Sequence, residues 1–365
     1  MLREYDRKLV LEDGSEFYGY AFGSDDDKVC ELVFNTSPVG YQELISDPSY
    51  SRQAVVTAYP LIGNYGTALD DYESTNPQIS ALVVREYNDR PSNFRSVETL
   101  DSVMKRYRVA GISGLDTRFL IRSIRDYGTR KALITSAFTS KEDALKKLAN
   151  ESIPKDLVAR ASRKSSVTAF AKTTRFHVVA IDCGMKTNIA RSLTARGCSL
   201  TIVPWNAQPD YIRSLSPDGV FISNGPGDPT DVPETIQTVR ALLGELPIFG
   251  ICLGHQIVSL AYGAKTYKLK FGHRGSNHSV RNLETKRIEI TSQNHSYAVA
   301  PESLSETPLV VTHVNLLDGT IEGVRCARDR VFSVQYHPEG APGPNDGAYL
   351  FEQFIAAMER EKTNA

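Results

Sequence analysis

A thiol set between two glycines is the feature of this chain best suited to chemistry. It is Cys252, in the run Gly250-Ile251-Cys252-Leu253-Gly254-His255-Gln256. Apolar residues precede it (Leu246-Pro247-Ile248-Phe249), and a run compatible with a helix follows from Leu253. Gly-x-Cys-x-Gly has the spacing of a nucleophile elbow, with sulfur in place of a hydroxyl. Glycines two residues to either side let neighbouring backbone approach without a Cβ clash. At a helix N-terminus, unpaired N–H groups and the macrodipole favour a thiolate and stabilise an oxyanion formed beside it. A buried packing cysteine is the competing reading, and the spacing alone leaves both open.

A nucleophile of this kind needs a base, and the base needs an orienting group. Among the seven histidines, His337 stands out. It follows a strand expected over Val331–Gln335 and lies in Tyr336-His337-Pro338-Glu339. Pro338 favours extended backbone at the preceding residue, and residues two apart on an extended segment share a side. Glu339 can then accept a hydrogen bond from one ring nitrogen, leaving the other for Cys252. A plain turn is the alternative. The third piece is Ser223-Asn224-Gly225-Pro226-Gly227-Asp228-Pro229. It is either a sharp turn or a loop whose Gly227 N–H joins that of Leu253 as an oxyanion donor. An amide carbonyl is the natural target of such a set.

These groups need a frame. From residue 174 the text alternates strand and helix: Phe176–Ile181, Lys186–Arg196, Ser199–Pro204, Asp210–Leu215, Gly219–Ser223, Pro233–Leu243, Pro247–Ile251 and a helix from Leu253. That alternation predicts a doubly wound, mostly parallel α/β sheet, whose ligands sit beyond the carboxyl ends of its strands. Both glycine-rich loops begin there. Residues 1–150 read as a separate α+β domain. Strands are expected at Lys8–Leu11 and Glu16–Tyr20, turned by Asp13-Gly14, then at Glu31–Phe34, Ala54–Ala58 and Ile79–Arg85. Helices are expected near 97–107 and 116–127, the second with Leu115, Phe119, Ile121 and Ile124 on one side. Residues 151–173, rich in Ser, Lys and Ala without a period, read as a linker, which leaves 174–365 as the chemical domain.

Bulk properties narrow the classes. A length of 365 residues suggests two domains. With 42 basic and 43 acidic residues the net charge is −1, which draws the chain toward neither nucleic acid nor a membrane surface. The basic window 265–283 reads as a solvated face or partner contact. The start, MLREYDRKLV, lacks an apolar core, and no apolar run is long enough to span a bilayer. Five scattered cysteines without a C-x-x-C pair argue against disulfides and a thiolate metal site. The expectation is a cytoplasmic protein with no metal. No phosphate-binding G-x-x-x-x-G-K-[ST] loop occurs, since Gly184-Met185-Lys186-Thr187 lacks the upstream spacing.

GICLGHQ, SNGPGDP and HPE, in this setting, resemble class I (triad) glutamine amidotransferases. VFNTSPVGYQELISDPSYSRQ, YPLIGNYG, SNFRS, GLDTRFLIRSIRDYG and LKFGHRGSNH resemble the small, glutaminase chains of carbamoyl-phosphate synthetases, and the likeness covers nearly the whole sequence. The resemblance implies that Cys252 is the nucleophile, His337 the base and acid, and Glu339 its orienter. It implies that Ser49, Gly225, Gly227, Leu253, Gln256, Asn294, Ser296 and Tyr297 bind L-glutamine or its acyl intermediate. It further implies release of ammonia to a large partner chain that uses ATP, magnesium and bicarbonate, with no cofactor on this chain and the amino domain as docking surface. Two positions depart from the family pattern: Ser296 stands where glycine is usual, and Gly340-Ala341 where Ala-Ser is usual. An anthranilate- or GMP-type amidotransferase subunit, a free-standing glutaminase, a cysteine peptidase and a silent regulatory subunit are the alternatives.

Overall fold

Asp13 and Gly14 turn the chain between its first two strands, β1 (Arg7–Leu11) and β2 (Glu16–Gly23). Gly14 takes a positive φ of 82°, and the Asp13 carboxylate accepts the Ser15 N–H at 2.9 Å. The computed structural model describes residues 4–364 and divides into two compact units, Met1–Pro154 and Lys155–Ala365.

In the first unit the hairpin is continued by β3 (Lys28–Asn35), helix α1 (Tyr41–Ser46) and β4 (Gln53–Thr57). Then come the short strand β5 (Leu61–Ile62), β6 (Ala81–Val83), β7 (Glu86–Tyr87), α2 (Leu100–Arg106) and β8 (Ala110–Ser113). The unit ends with α3 (Thr117–Tyr127), β9 (Arg130–Ser136) and α4 (Lys141–Asn150). Seven strands close a barrel in the order β1-β2-β8-β6-β4-β3-β9, with β9 paired back onto β1. Closure leaves no open sheet edge. Helix α3 buries Thr117, Leu120 and Ile124, whereas Phe119 is exposed, its ring tilted at 47° to that of Phe17 with centroids 6.0 Å apart. The expected apolar side is therefore one residue out of phase at Phe119, where Leu120 is the buried residue instead.

The stretch 151–173, expected to be a linker, carries helix α5 (Leu157–Ala161) and strand β10 (Val167–Ala169). Leu157 and Val158 are buried, and β10 pairs antiparallel with the strand β12 (Cys198–Pro204). The two elements are too short to print a period, and β10 is an edge strand on which Val167 and Thr168 are exposed.

The second unit holds a ten-stranded sheet. Its parallel part runs through β12, β11 (Phe176–Asp182), β13 (Gly219–Ile222), β14 (Ile248–Ile251) and β19 (Val331–Val334). An antiparallel part continues with β18 (Ile321–Cys326), β17 (Val310–Asn315), β15 (Thr266–Asn282) and β16 (Ile288–Val299). Alternate residues of the parallel strands point to opposite faces. Val179, Ile181, Val220 and Ile222 pack with α7 (Pro209–Ser214), α8 (Pro233–Leu242) and α9 (Leu253–Ala261). Val178, Ala180, Phe221 and Phe249 pack with α6 (Thr187–Ala195) and α10 (Tyr349–Asn364). The sheet is thus doubly wound. The basic window falls on β15, where the Arg274 side chain is fully buried rather than solvated. No helix among the described residues is long and apolar enough to cross a membrane.

Candidate active site

The carboxyl ends of β11, β13, β14 and β19 are adjacent, and every catalytic candidate of this unit follows one of them or borders β16. Cys252 directly follows β14 and caps the N-terminus of α9 with φ 55° and ψ −105°. This is a strained conformation for a residue with a side chain, costing about 1–3 kcal/mol. Packing holds it in place. The Cys252 N–H donates to the Val334 carbonyl at 2.9 Å, and its thiol donates to the Asn294 carbonyl at 3.6 Å. The flanking glycines are steric requirements. A Cβ on Gly250 would lie 2.7 Å from the Gly254 backbone, and one on Gly254 would lie 2.2 Å from the Ile222 carbonyl oxygen. Gly254→Ala must push α9 away from β13, and we expect it to lose about 1–3 kcal/mol or more, read as a lowered midpoint in urea unfolding.

His337 is anchored by its N–H to the Ser292 carbonyl at 2.9 Å. Its Nδ1 lies 2.7 Å from Glu339 Oε1, and the two meet across a turn rather than along the expected extended segment: Pro338 and Glu339 are turn residues, and the Gly340 N–H donates to the His337 carbonyl at 3.1 Å. The ring and the carboxylate are both buried. Burial opposes a charge on His337, but the Glu339 carboxylate, followed by Cys252, outweighs it and raises its pKa. Burial likewise opposes the Glu339 charge, and Lys186 and then His337 overcome it, holding the carboxyl below its ordinary range. The His337 Nε2 is buried without a conventional hydrogen bond, and Cys252 is the sulfur it senses.

Lys186 joins the site although the sequence shows it only within an incomplete phosphate-binding spacing. Its side chain is buried, with Nζ 3.0 Å from Glu339 Oε1 and 2.8 Å from the Gly340 carbonyl. Its N–H donates to Asn224 Oδ1 of the SNGPGDP loop at 3.1 Å. The available signal was its place just past β11, at the same sheet edge as both glycine loops. His255 takes no part in this cluster. It is fully buried, bonds Ser333 Oγ at 2.9 Å through Nδ1, and burial pushes its pKa down to about 3. It is a core histidine.

The other candidates are held in different ways. Leu253 is the first residue of α9. Gly227 is exposed with φ 91°, a conformation that favours glycine, and Gly225 sits so tightly that a Cβ would meet the Cys183 carbonyl at 2.2 Å. Gln256 donates through Nε2 to the Tyr297 carbonyl at 2.9 Å and to Gln335 Oε1 at 3.0 Å. Asn294, Ser296 and Tyr297 lie on β16, opposite β15. The Ser296 hydroxyl, an addition relative to the usual glycine, accepts a hydrogen bond from the buried Arg274 guanidinium. Ser49 belongs to the amino-terminal unit, buried on the turn Pro48–Tyr50, with its N–H bonded to Asp47 Oδ1 at 2.9 Å.

Two family models match the chain, one within each unit. Residues 179–357 match the family model described as glutamine amidotransferase class-I, and residues 9–134 that described as carbamoyl-phosphate synthase small chain, CPSase domain. The carbamoyl phosphate synthase small chain of Fusobacterium nucleatum is 49% identical over 355 residues, covering 97% of this chain and 99% of that one. That of Bacillus caldolyticus is 50% identical over 352 residues, 96% of each chain. A carbamoyl phosphate synthase pyrimidine-specific small chain from Halalkalibacterium halodurans is 50% identical over 359 residues, covering 98% and 99%. With a barrel unit and an amidotransferase unit matched in turn along nearly its whole length, this chain belongs to the carbamoyl-phosphate synthase small-chain family.

Proposed function

We propose that the chain hydrolyses L-glutamine to glutamate and ammonia, and supplies the ammonia to a large ATP-dependent partner chain that makes carbamoyl phosphate. The observation that carries the reading is the strained Cys252 elbow beside a His337 ring clamped by Glu339. The Cys252 thiolate attacks the side-chain amide carbon of glutamine, and the oxyanion is met by the N–H groups of Leu253 and Gly227. His337 gives its proton to the leaving nitrogen, and ammonia departs from a γ-glutamyl thioester. Water, deprotonated by His337, then attacks the thioester; glutamate leaves and the thiolate returns. Glu339 fixes the ring orientation and supports its positive charge, and Lys186 in turn holds Glu339 ionised. Ser49, Gly225, Gln256, Asn294, Ser296 and Tyr297 are assigned to glutamine binding.

ATP and magnesium belong on the partner in this reading, because this sequence carries no phosphate-binding loop. The amino-terminal barrel, which has no catalytic motif, is assigned to docking the large chain, and the complex to the cytoplasm. The test is to mix the purified chain with an isolated large chain, ATP and bicarbonate, and to follow glutamate and carbamoyl phosphate together. Equimolar formation of both is expected. Glutamate release that never yields carbamoyl phosphate would favour a free-standing glutaminase instead.

A further inference from the structure

Beside the β16 segment that carries Asn294, Ser296 and Tyr297 lies a buried polar array that the proposed reaction does not use. Thr291, Gln293 and His295 share one face of β16; His273 comes from β15 and Glu322 from β18, and all five are buried. His295 Nδ1 is 2.8 Å from the Tyr297 carbonyl, and its Nε2 is 2.8 Å from one end of the Gln293 amide. The other end of that amide lies 3.0 Å from Glu322 Oε2 and 3.1 Å from Thr291 Oγ1. Glu322 Oε1 accepts from Asn315 Nδ2 at 3.1 Å and lies 3.4 Å from His273 Nδ1. His273 Nε2 meets Asp318 Oδ2 at 2.8 Å.

Counting hydrogens exposes a constraint. The Tyr297 carbonyl can only accept, so His295 Nδ1 carries a hydrogen. If the ring is neutral, Nε2 is an acceptor and Gln293 must turn its NH₂ toward it. The amide oxygen then faces Glu322, and a bond forms only if that carboxyl brings a hydrogen. If Gln293 turns its NH₂ toward an ionised Glu322, its oxygen faces Nε2, and His295 must be an imidazolium. Each orientation of the amide needs one hydrogen more than a carboxylate and a neutral imidazole provide.

We propose that Glu322, Gln293 and His295 share one buried proton, and that this proton holds the Asn294–Tyr297 segment in its glutamine-binding geometry. Burial first, then the His273, Arg274 and His278 charges of β15, push the His295 pKa well down, so the ring alone is a poor holder. Burial opposes charge on His273 too, but its hydrogen bonds to Asp318 and Glu322 prevail and raise its pKa to about 9. His273, His295 and Glu322 place ligand atoms within 4.8 Å of one another, yet their ring nitrogens already face hydrogen-bonding neighbours, and one proton satisfies the set. Losing that proton sets two acceptors against each other and releases Gln293 or His295 from its neighbour. His295 holds Tyr297 through its carbonyl, so the loss is felt in substrate binding. These three are positioning residues, and Cys252 chemistry does not pass through them.

This inference rests on the glutaminase reading for its kinetic arm only. For the full chain, glutamine KM is expected to rise about three- to tenfold over the range in which rising pH removes the shared proton, the worth of roughly one hydrogen bond, with a smaller change in kcat attributable to the array. Glu322→Gln supplies a permanent NH₂ donor to Gln293 and should make KM flat over that range. Asp318→Asn removes the His273 partner but leaves the trio, and should keep the rise. An unchanged rise in Glu322→Gln, or a flat profile in Asp318→Asn, would overturn the proposal. Urea unfolding provides a readout without turnover. The folded wild type binds one proton more than the unfolded chain here, so its stability must fall with pH more steeply than that of Glu322→Gln, by up to one proton of slope. Equal slopes overturn the shared proton. Absence of glutamine turnover in the wild type would instead sink the glutaminase reading, and the unfolding comparison would still decide the array.

Discussion

Cys252→Ser in the reconstituted complex is expected to lower glutamine-dependent carbamoyl phosphate synthesis by about 10⁴-fold or more, while leaving ammonia-dependent synthesis unchanged. Removing a nucleophile that acts as a unit with its base typically costs on this scale. The serine hydroxyl fits the same elbow and can donate to the Asn294 carbonyl as the thiol does, so the fold should survive. It cannot ionise comparably beside His337, because an alcohol is a far weaker acid than a thiol. Steady-state rates with each nitrogen source check this. Equal losses with glutamine and ammonia would place the defect in assembly rather than in the nucleophile.

Lys186→Met is expected to be strongly damaging although it touches neither the sulfur nor its base. The Lys186 and Glu339 side chains are 4% and 0% exposed and 3.0 Å apart. Breaking a buried pair from one side leaves an uncompensated charge, at a cost of about 3–5 kcal/mol. The sign of the pH effect follows from Glu339. Its pKa in the folded chain is held below the ordinary carboxylate value, so its stabilising contribution is present above that value and lost as pH falls through the lowered one. Without Lys186 the lowering shrinks, and Glu339 takes a proton at higher pH. The acid limb of kcat/KM should therefore move toward neutrality, because a protonated Glu339 no longer supports a charged His337. Glutaminase pH profiles of folded Lys186→Met and wild type test this; superimposable acid limbs would contradict it.

Much of the frame was legible because strand and helix alternate with clear periods from Phe176 to Ala261. The barrel strands β1 to β4 also announce themselves by apolar runs and a Asp-Gly turn. What stayed hidden was non-local or too short. Strand β10 is three residues long with two of them exposed, and β15 and β16 have bulged registers that scramble a period of two. Barrel closure depends on β9 finding β1 about 120 residues earlier, which no window of sequence displays. At the site, Cys252, His337 and Glu339 carried local signals: flanking glycines, and a proline between acid and base. Lys186 carried only its place just past β11, because its partner Glu339 comes from beyond β19, far along the chain. The Glu322–Gln293–His295 array is invisible for the same reason, being assembled from two strands separated by β15 and β17 in the sheet order.

The intermediate itself offers the sharpest measurement. Full-length chain mixed with isotopically labelled glutamine, quenched in acid within the first turnovers and digested for mass spectrometry, should show a γ-glutamyl adduct on the peptide containing Cys252. The adduct should vanish in Cys252→Ser and accumulate when His337 is replaced by asparagine, since deacylation then lacks its base. Labelled glutamate released without any adduct at Cys252, or an adduct on another cysteine, would contradict thioester chemistry at this elbow.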